Sequence, residues 1–129
     1  MQEVLQFLKD NPIFFLATAE GGQPRVRPFG FVMDFEGKLC FGTSNQKPVF
    51  KQMQANPKVE LSASTASRWL RLSGSAVFIT SPQAKAKAFE VMPMLKQIYP
   101  DDSLFEIFTL ENAVATFASM TGENRTVKL

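Results

Sequence analysis

The amino-acid sequence predicts a mainly β fold, a small antiparallel β-barrel with peripheral helices, from three observations. Short apolar stretches recur along the chain, each bounded by Gly, Pro, Asn or Asp. Brief turns join most of them, so neighbours in sequence become antiparallel neighbours in a sheet. Only three segments carry a helical period, and the 129 residues, 45% of them hydrophobic, suffice for one core. An open α+β sheet is the alternative arrangement, but a closed barrel pairs its strands on both sides and suits the pattern better.

The elements follow in order. Val4, Leu5 and Leu8 stand at helical spacing in residues 2–11, and Pro12 ends that helix. Residues 13–19, "IFFLATA", form a continuous apolar run that suits a strand buried on both faces, terminated by the turn "EGGQP". Arg25 to Met33 is its hairpin partner, and "DFEGK" turns the chain into a third strand at 38–44. Pro48 opens a short helix that stops at Asn56 and Pro57, with Val49, Phe50 and Met53 on one side. Residues 58–65 and 68–80 are two further strands, and Gly74 marks a bulge in the longer one. Ser81 caps and Pro82 starts a helix whose apolar face holds Ala88, Val91, Met92, Leu95, Ile98 and Tyr99, and which Pro93 kinks or splits. Residues 103–110 and 113–119 make a closing hairpin around "EN". With residues 121–129 left as a loosely held tail, the reading gives one domain of seven strands and three helices.

Composition narrows the function. Net charge is only +2, from 14 basic and 12 acidic residues, so no broad field demands a nucleic acid or an anionic membrane. No apolar run approaches the ~20 residues of a membrane span, and the N-terminus is too polar for a signal peptide, so a soluble cytoplasmic protein is expected. Histidine is absent, which removes Ser-His and Cys-His catalysis and histidine-ligated metals together. The lone Cys40 lies in the strand-like "KLCFGT", where a small buried thiol is expected rather than a nucleophile. No metal site is anticipated, and any enzymatic chemistry falls to a cofactor.

Three constellations could bind one. In "PRVRPFGF", Arg25 and Arg27 emerge on the same side of a strand, either snorkelling from a barrel rim or walling an anion site. The loop "GTSNQKP" offers Thr43, Ser44, Gln46 and Lys47 at a helix start, as a phosphate cradle or as a helix cap with a solvated lysine. Joined through "DFEGK", the two features belong to one hairpin, so that they converge. In "RWLRLSG", Trp69 and Arg71 share a strand face, either as core aromatic with rim cation or as a surface for a planar heterocycle.

The ordered series "LAT", "G-x-P-x-x-R-P", "GTSNQKP", "ANPKVEL" and "WLRLSGSA" resembles the pyridoxamine 5′-phosphate oxidase-like flavoproteins over nearly the whole chain. These are FMN-binding split β-barrels, and the likeness is greatest to their nitroimidazole-resistance branch. The resemblance implies a homodimer with FMN in grooves at the subunit interface. By motif, Arg27 matches the arginine at the FMN, and Pro28 and Phe29 match the backbone beside the flavin ring. Thr43 and Ser44 match the polar pair of the third strand, Gln46 and Lys47 the phosphate-binding step. Trp69 matches the position that contacts flavin, often from the partner subunit, with Arg71 nearby. The oxidase's C-terminal substrate segment has no counterpart in residues 111–129, so pyridoxamine phosphate oxidation is not expected. A deazaflavin stays open beside FMN.

The resulting expectation is an FMN-dependent oxidoreductase acting on a small electron-poor molecule. The alternatives are a flavin-binding protein without turnover and a nucleic-acid-binding barrel that stacks bases on Phe29, Phe31 and Trp69.

Overall fold

A computed structural model describes residues 1–129. The chain runs α1 (Gln2–Asp10), β1 (Phe14–Glu20), β2 (Gln23–Phe29), β3 (Val32–Phe35), β4 (Lys38–Ser44), α2 (Pro48–Ala55) and β5 (Lys58–Ser64). It continues through β6 (Arg68–Phe78), α3 (Pro82–Val91), α4 (Leu95–Ile98), a 3₁₀ turn at Asp102–Leu104, β7 (Phe105–Ser119) and β8 (Asn124–Lys128). One antiparallel sheet holds all eight strands in the order β2-β1-β5-β6-β7-β4-β3, with β8 paired to β7. Its terminal strands β2 and β3 share no ladder, so the barrel is split rather than closed.

The split arises where a single strand was expected over residues 25–33. Phe29 packs on Phe14 and Phe108 in the barrel interior, with ring centroids 6.4 and 6.1 Å away. Phe31 instead packs on Phe105, at 6.4 Å, in a second core beneath α3 and α4. The two aromatic residues of "PFGF" thus enter different cores, and the chain breaks between them at Gly30. The β3–β4 hairpin does form at "DFEGK", where Glu36 and Gly37 take φ of 52° and 78° and the Gly37 N–H donates to Asp34 Oδ1.

Three further differences have local causes. The hairpin expected around "EN" is instead one 15-residue strand, because Asn112 adopts φ 53° and absorbs the extra backbone as a bulge. Gly74 lies opposite, at the register shift between Ser73 and Ser75; a Cβ there would meet Leu110 Cβ at 3.0 Å and the Glu111 carbonyl at 3.1 Å. The expected tail is β8, held along Val114–Ala118 and by ion pairs of Arg125 with Glu3 and of Glu123 with Arg68. Strand β1 is buried on one face only. Phe14, Leu16 and Thr18 point inward, whereas Phe15 is 50% exposed on the outer face.

Residues 81–99 split at Pro93 into α3 and α4, and the Ser81 hydroxyl caps α3 by accepting from the Ala84 N–H at 3.0 Å. Ala84, Ala88 and Leu95 fill the second core with Met33, Phe105 and Ile107, while Val91 and Ile98 remain exposed. Cys40 is buried there as expected, and burial pushes its thiol up to about 11. No helix is long and apolar enough to cross a membrane.

Candidate functional site

The seam between β2 and β4 opens into a two-lobed cleft beside the start of α2. A polar lobe of about 690 Å³ is lined by Glu20, Arg25, Arg27, Lys47, the first turn of α2 and Gln52. An apolar lobe of about 700 Å³ is lined by Phe29, Phe31, Thr43, Phe105 and the α3–α4 segment. Arg27, Pro28, Lys47 and Val49 border both lobes, so the two form one groove with its cations at the waist.

The register explains the arginine pair. Arg25 stands opposite Thr18 and Arg27 opposite Leu16, the inward-pointing residues of β1. On a closed barrel both would point into the core; at the open seam they point into the cleft. Arg25 pairs with Glu20 at 3.1 Å and behaves as a rim charge. Arg27 has no carboxylate. Its Nη1 donates to the Leu16 carbonyl at 3.1 Å and to Thr18 Oγ1 at 2.9 Å, and its Nη2 donates to Gln52 Oε1. Burial, and then the charge of Arg25, lower its pKa, the mark of a cation short of compensating negative charge. Neither Arg27 nor Lys47 joins any ion pair of the molecule.

The remaining candidates divide. Pro28, Phe29, Thr43 and Lys47 line the groove with Arg27. Ser44 is buried beneath the loop, where its hydroxyl accepts the Gln46 N–H at 3.1 Å and its carbonyl accepts the Lys47 N–H at 3.1 Å. The Gln46 and Lys47 amides are therefore engaged within the loop. The Gln46 side chain turns to Asn45 Oδ1, at 2.8 Å, outside the groove. Trp69 and Arg71 lie on the outer face of β6, and Arg71 faces Glu60 at 4.0 Å, so one chain alone does not bring them to the cleft. Phe31 is buried in the second core and Phe29 packs half-buried against the first, and both line the apolar lobe of the groove.

The supposed single hairpin behind the convergence is corrected here. Arg27 belongs to the terminal strand β2 and Lys47 follows β4, five places away in the sheet order and next to the other end, and they meet only because the barrel curls. Sequence reading also missed Thr18 and Gln52, which hold Arg27 from behind. The available signals were a threonine inside an apolar strand and a glutamine between Val49 and Met53 on the buried face of α2. Tyr99, the sole tyrosine, lines the apolar lobe with its pKa raised by burial.

The donor set fits a flavin phosphate: unpaired cations and a helix start at the waist, with an apolar lobe beyond for a planar ring. Among curated proteins none matches. A NimC/NimA family protein from Clostridium acetobutylicum is 44% identical, with TM-score 0.94, covering 100% of this chain and 92% of its own. A protein related to general stress protein 26, also from C. acetobutylicum, shares the fold at 19% identity and TM-score 0.75, covering 99% and 93%. An FAD-binding protein from Mesorhizobium loti does so at 20% identity and TM-score 0.63, covering 92% and 94%. Residues 1–118 match the model of the pyridoxamine 5′-phosphate oxidase family, and with this split barrel and its seam the chain belongs to that family.

Proposed function

We propose that this protein binds FMN in the seam cleft and serves as an FMN-dependent oxidoreductase. The observation that carries the reading is the pairing of two uncompensated cations, Arg27 and Lys47, with an apolar lobe on one continuous groove. Lys47 and Arg27 would bind the phosphate dianion, where charge-assisted hydrogen bonds are the strongest available contacts. Pro28, Phe29 and Thr43 would border the ring, and the α3–α4 wall would exclude water from it. When bound, FMN supplies electron transfer from a nicotinamide donor to a small electron-poor acceptor such as a nitroaromatic.

A homodimer belongs to the same reading. Phe15 and Val26, 50% and 67% exposed, lie on the outer sheet face that also carries Trp69, an apolar surface suited to a second copy. Docked there, the partner could present Trp69 and Arg71 to a groove that one chain leaves open.

Purified protein is expected to be yellow, to release FMN on heat denaturation, and to have twice the 14.4 kDa monomer mass in solution. Colourless protein that does not take up added FMN refutes the reading. Catalysis is tested separately, by loss of the flavin absorbance with NADH or NADPH and its return with a nitroaromatic. If neither half-reaction proceeds, the protein binds flavin without turnover.

A further inference from the structure

The Thr18–Gln52–Arg27 network allows the Gln52 amide a single orientation. A guanidinium only donates, so the Gln52 atom that faces it must be the carbonyl oxygen. Oε1 accepts from Arg27 Nη2 and, at 2.6 Å, from the Thr18 hydroxyl. That hydroxyl accepts from Arg27 Nη1 at 2.9 Å, so its one hydrogen is committed to Oε1. Both N–H groups of Nε2 are left without a protein partner, although Gln52 is only 7% exposed and borders the polar lobe. No buried side-chain polar atom of the molecule lacks a partner, so Nε2 reaches solvent-accessible space, where its two N–H groups are free to donate to a ligand. A glutamate would accept the same two bonds, but it would also neutralise Arg27. Glutamine holds the guanidinium and leaves its charge available.

We propose that Gln52 is a ligand-binding residue, orienting Arg27 through Oε1 and donating from Nε2 to an oxygen of a phosphate monoester dianion in the polar lobe. Taking that dianion as the phosphate of FMN rests on the function proposed above; the donor arrangement itself suits any phosphate monoester. The lobe's one carboxylate, Glu20, is held by Arg25 at 3.1 Å.

The test compares the full-length wild type with Gln52→Glu, Gln52→Met and Thr18→Val. Affinities for FMN and for riboflavin, which lacks the phosphate, are measured by fluorescence titration. The rise of the unfolding midpoint with inorganic phosphate is measured against chloride at equal ionic strength. Gln52→Glu is expected to fold at least as stably as wild type yet bind FMN about tenfold or more weakly. Its riboflavin affinity is expected to be unchanged and its phosphate response lost. Gln52→Met, of similar volume, is expected to show the same losses and decides the matter should the glutamate variant fail to fold. Thr18→Val, which removes two orienting bonds but no ligand donor, is expected to lose less FMN affinity than either. Wild-type FMN affinity in both Gln52 variants overturns the proposal, as does an equal loss of FMN and riboflavin. A wild type that responds to phosphate but binds no FMN removes the flavin reading and leaves the Gln52 role to the phosphate arm. A wild type that responds to neither overturns both.

Discussion

Replacing Lys47 by alanine separates binding from folding. Lys47 is exposed at the N-cap of α2, provides no side-chain cap, and joins no ion pair, so its removal deletes no contact that holds the fold. The unfolding free energy is therefore expected to change by no more than about 0.5 kcal/mol. A charge-assisted hydrogen bond to phosphate contributes about 1.5–3 kcal/mol, which corresponds to roughly a 10- to 150-fold rise in the FMN dissociation constant. Riboflavin has no phosphate, so its affinity should not move, and the FMN-to-riboflavin affinity ratio should fall by the whole factor. Fluorescence titrations of both ligands at one fixed ionic strength measure this, since about 0.1 M salt already screens exposed charges beyond ~10 Å. FMN affinity within twofold of wild type would place the phosphate elsewhere. An equal loss for riboflavin would mean that Lys47 acts on the ring or on the fold.

Three other outcomes follow from the packing and the charges. Gly42→Ala puts a Cβ 2.5 Å from Phe105 Cε1 and 2.9 Å from Cζ, so overpacking should cost about 1–3 kcal/mol in chemical denaturation; an unchanged midpoint would show that the ring swings aside freely. Cys40, its thiol pushed up to about 11 by burial, should resist a thiol reagent at pH 8 until denaturant is added, and fast labelling of folded protein would contradict that placement. Glu3 is held below its ordinary 4.5 chiefly by the Arg125 hydrogen bond, and Glu123 chiefly by that of Arg68. A depressed folded-state pKa gives stability that is full above 4.5 and lost as the pH falls through the lowered values. Amides of β8 should accordingly lose exchange protection in that acid window before those of β5 and β6, and simultaneous loss across all strands would refute the assignment.

Much of the fold was legible because it is written in local chemistry. Ser81–Pro82 opens a helix, Pro93 breaks it and "DFEGK" turns a hairpin, each through residues only a few positions apart. What escaped depends on distant partners. "EN" carries turn chemistry in either context, and only the ladder with β6 makes it a bulge within one strand. The polar segment 121–129 reads as loose until Arg125 meets Glu3, 122 residues away in sequence. The same holds at the groove. Arg27 and Lys47 were legible as cations beside strand and helix starts, but Gln52 acquires its meaning only when α2 lies against β1 and its carbonyl meets Thr18. Trp69 and Arg71 face away from the cleft because their neighbours Leu70 and Leu72 take the barrel interior.

Strand β2 pairs with β1 alone, leaving its other side open along the seam. Pro24 and Pro28 both stand in register with β1, opposite Ala19 and Phe15, and neither carries an N–H. With Val26 between them, two of three successive outward positions cannot donate to an incoming strand, and Arg25 and Arg27 add like charge along the same border. The strand that walls the groove is thereby a poor template for intermolecular β-pairing. The split leaves a strand edge of the barrel unpaired, and these residues protect that edge from edge-to-edge aggregation.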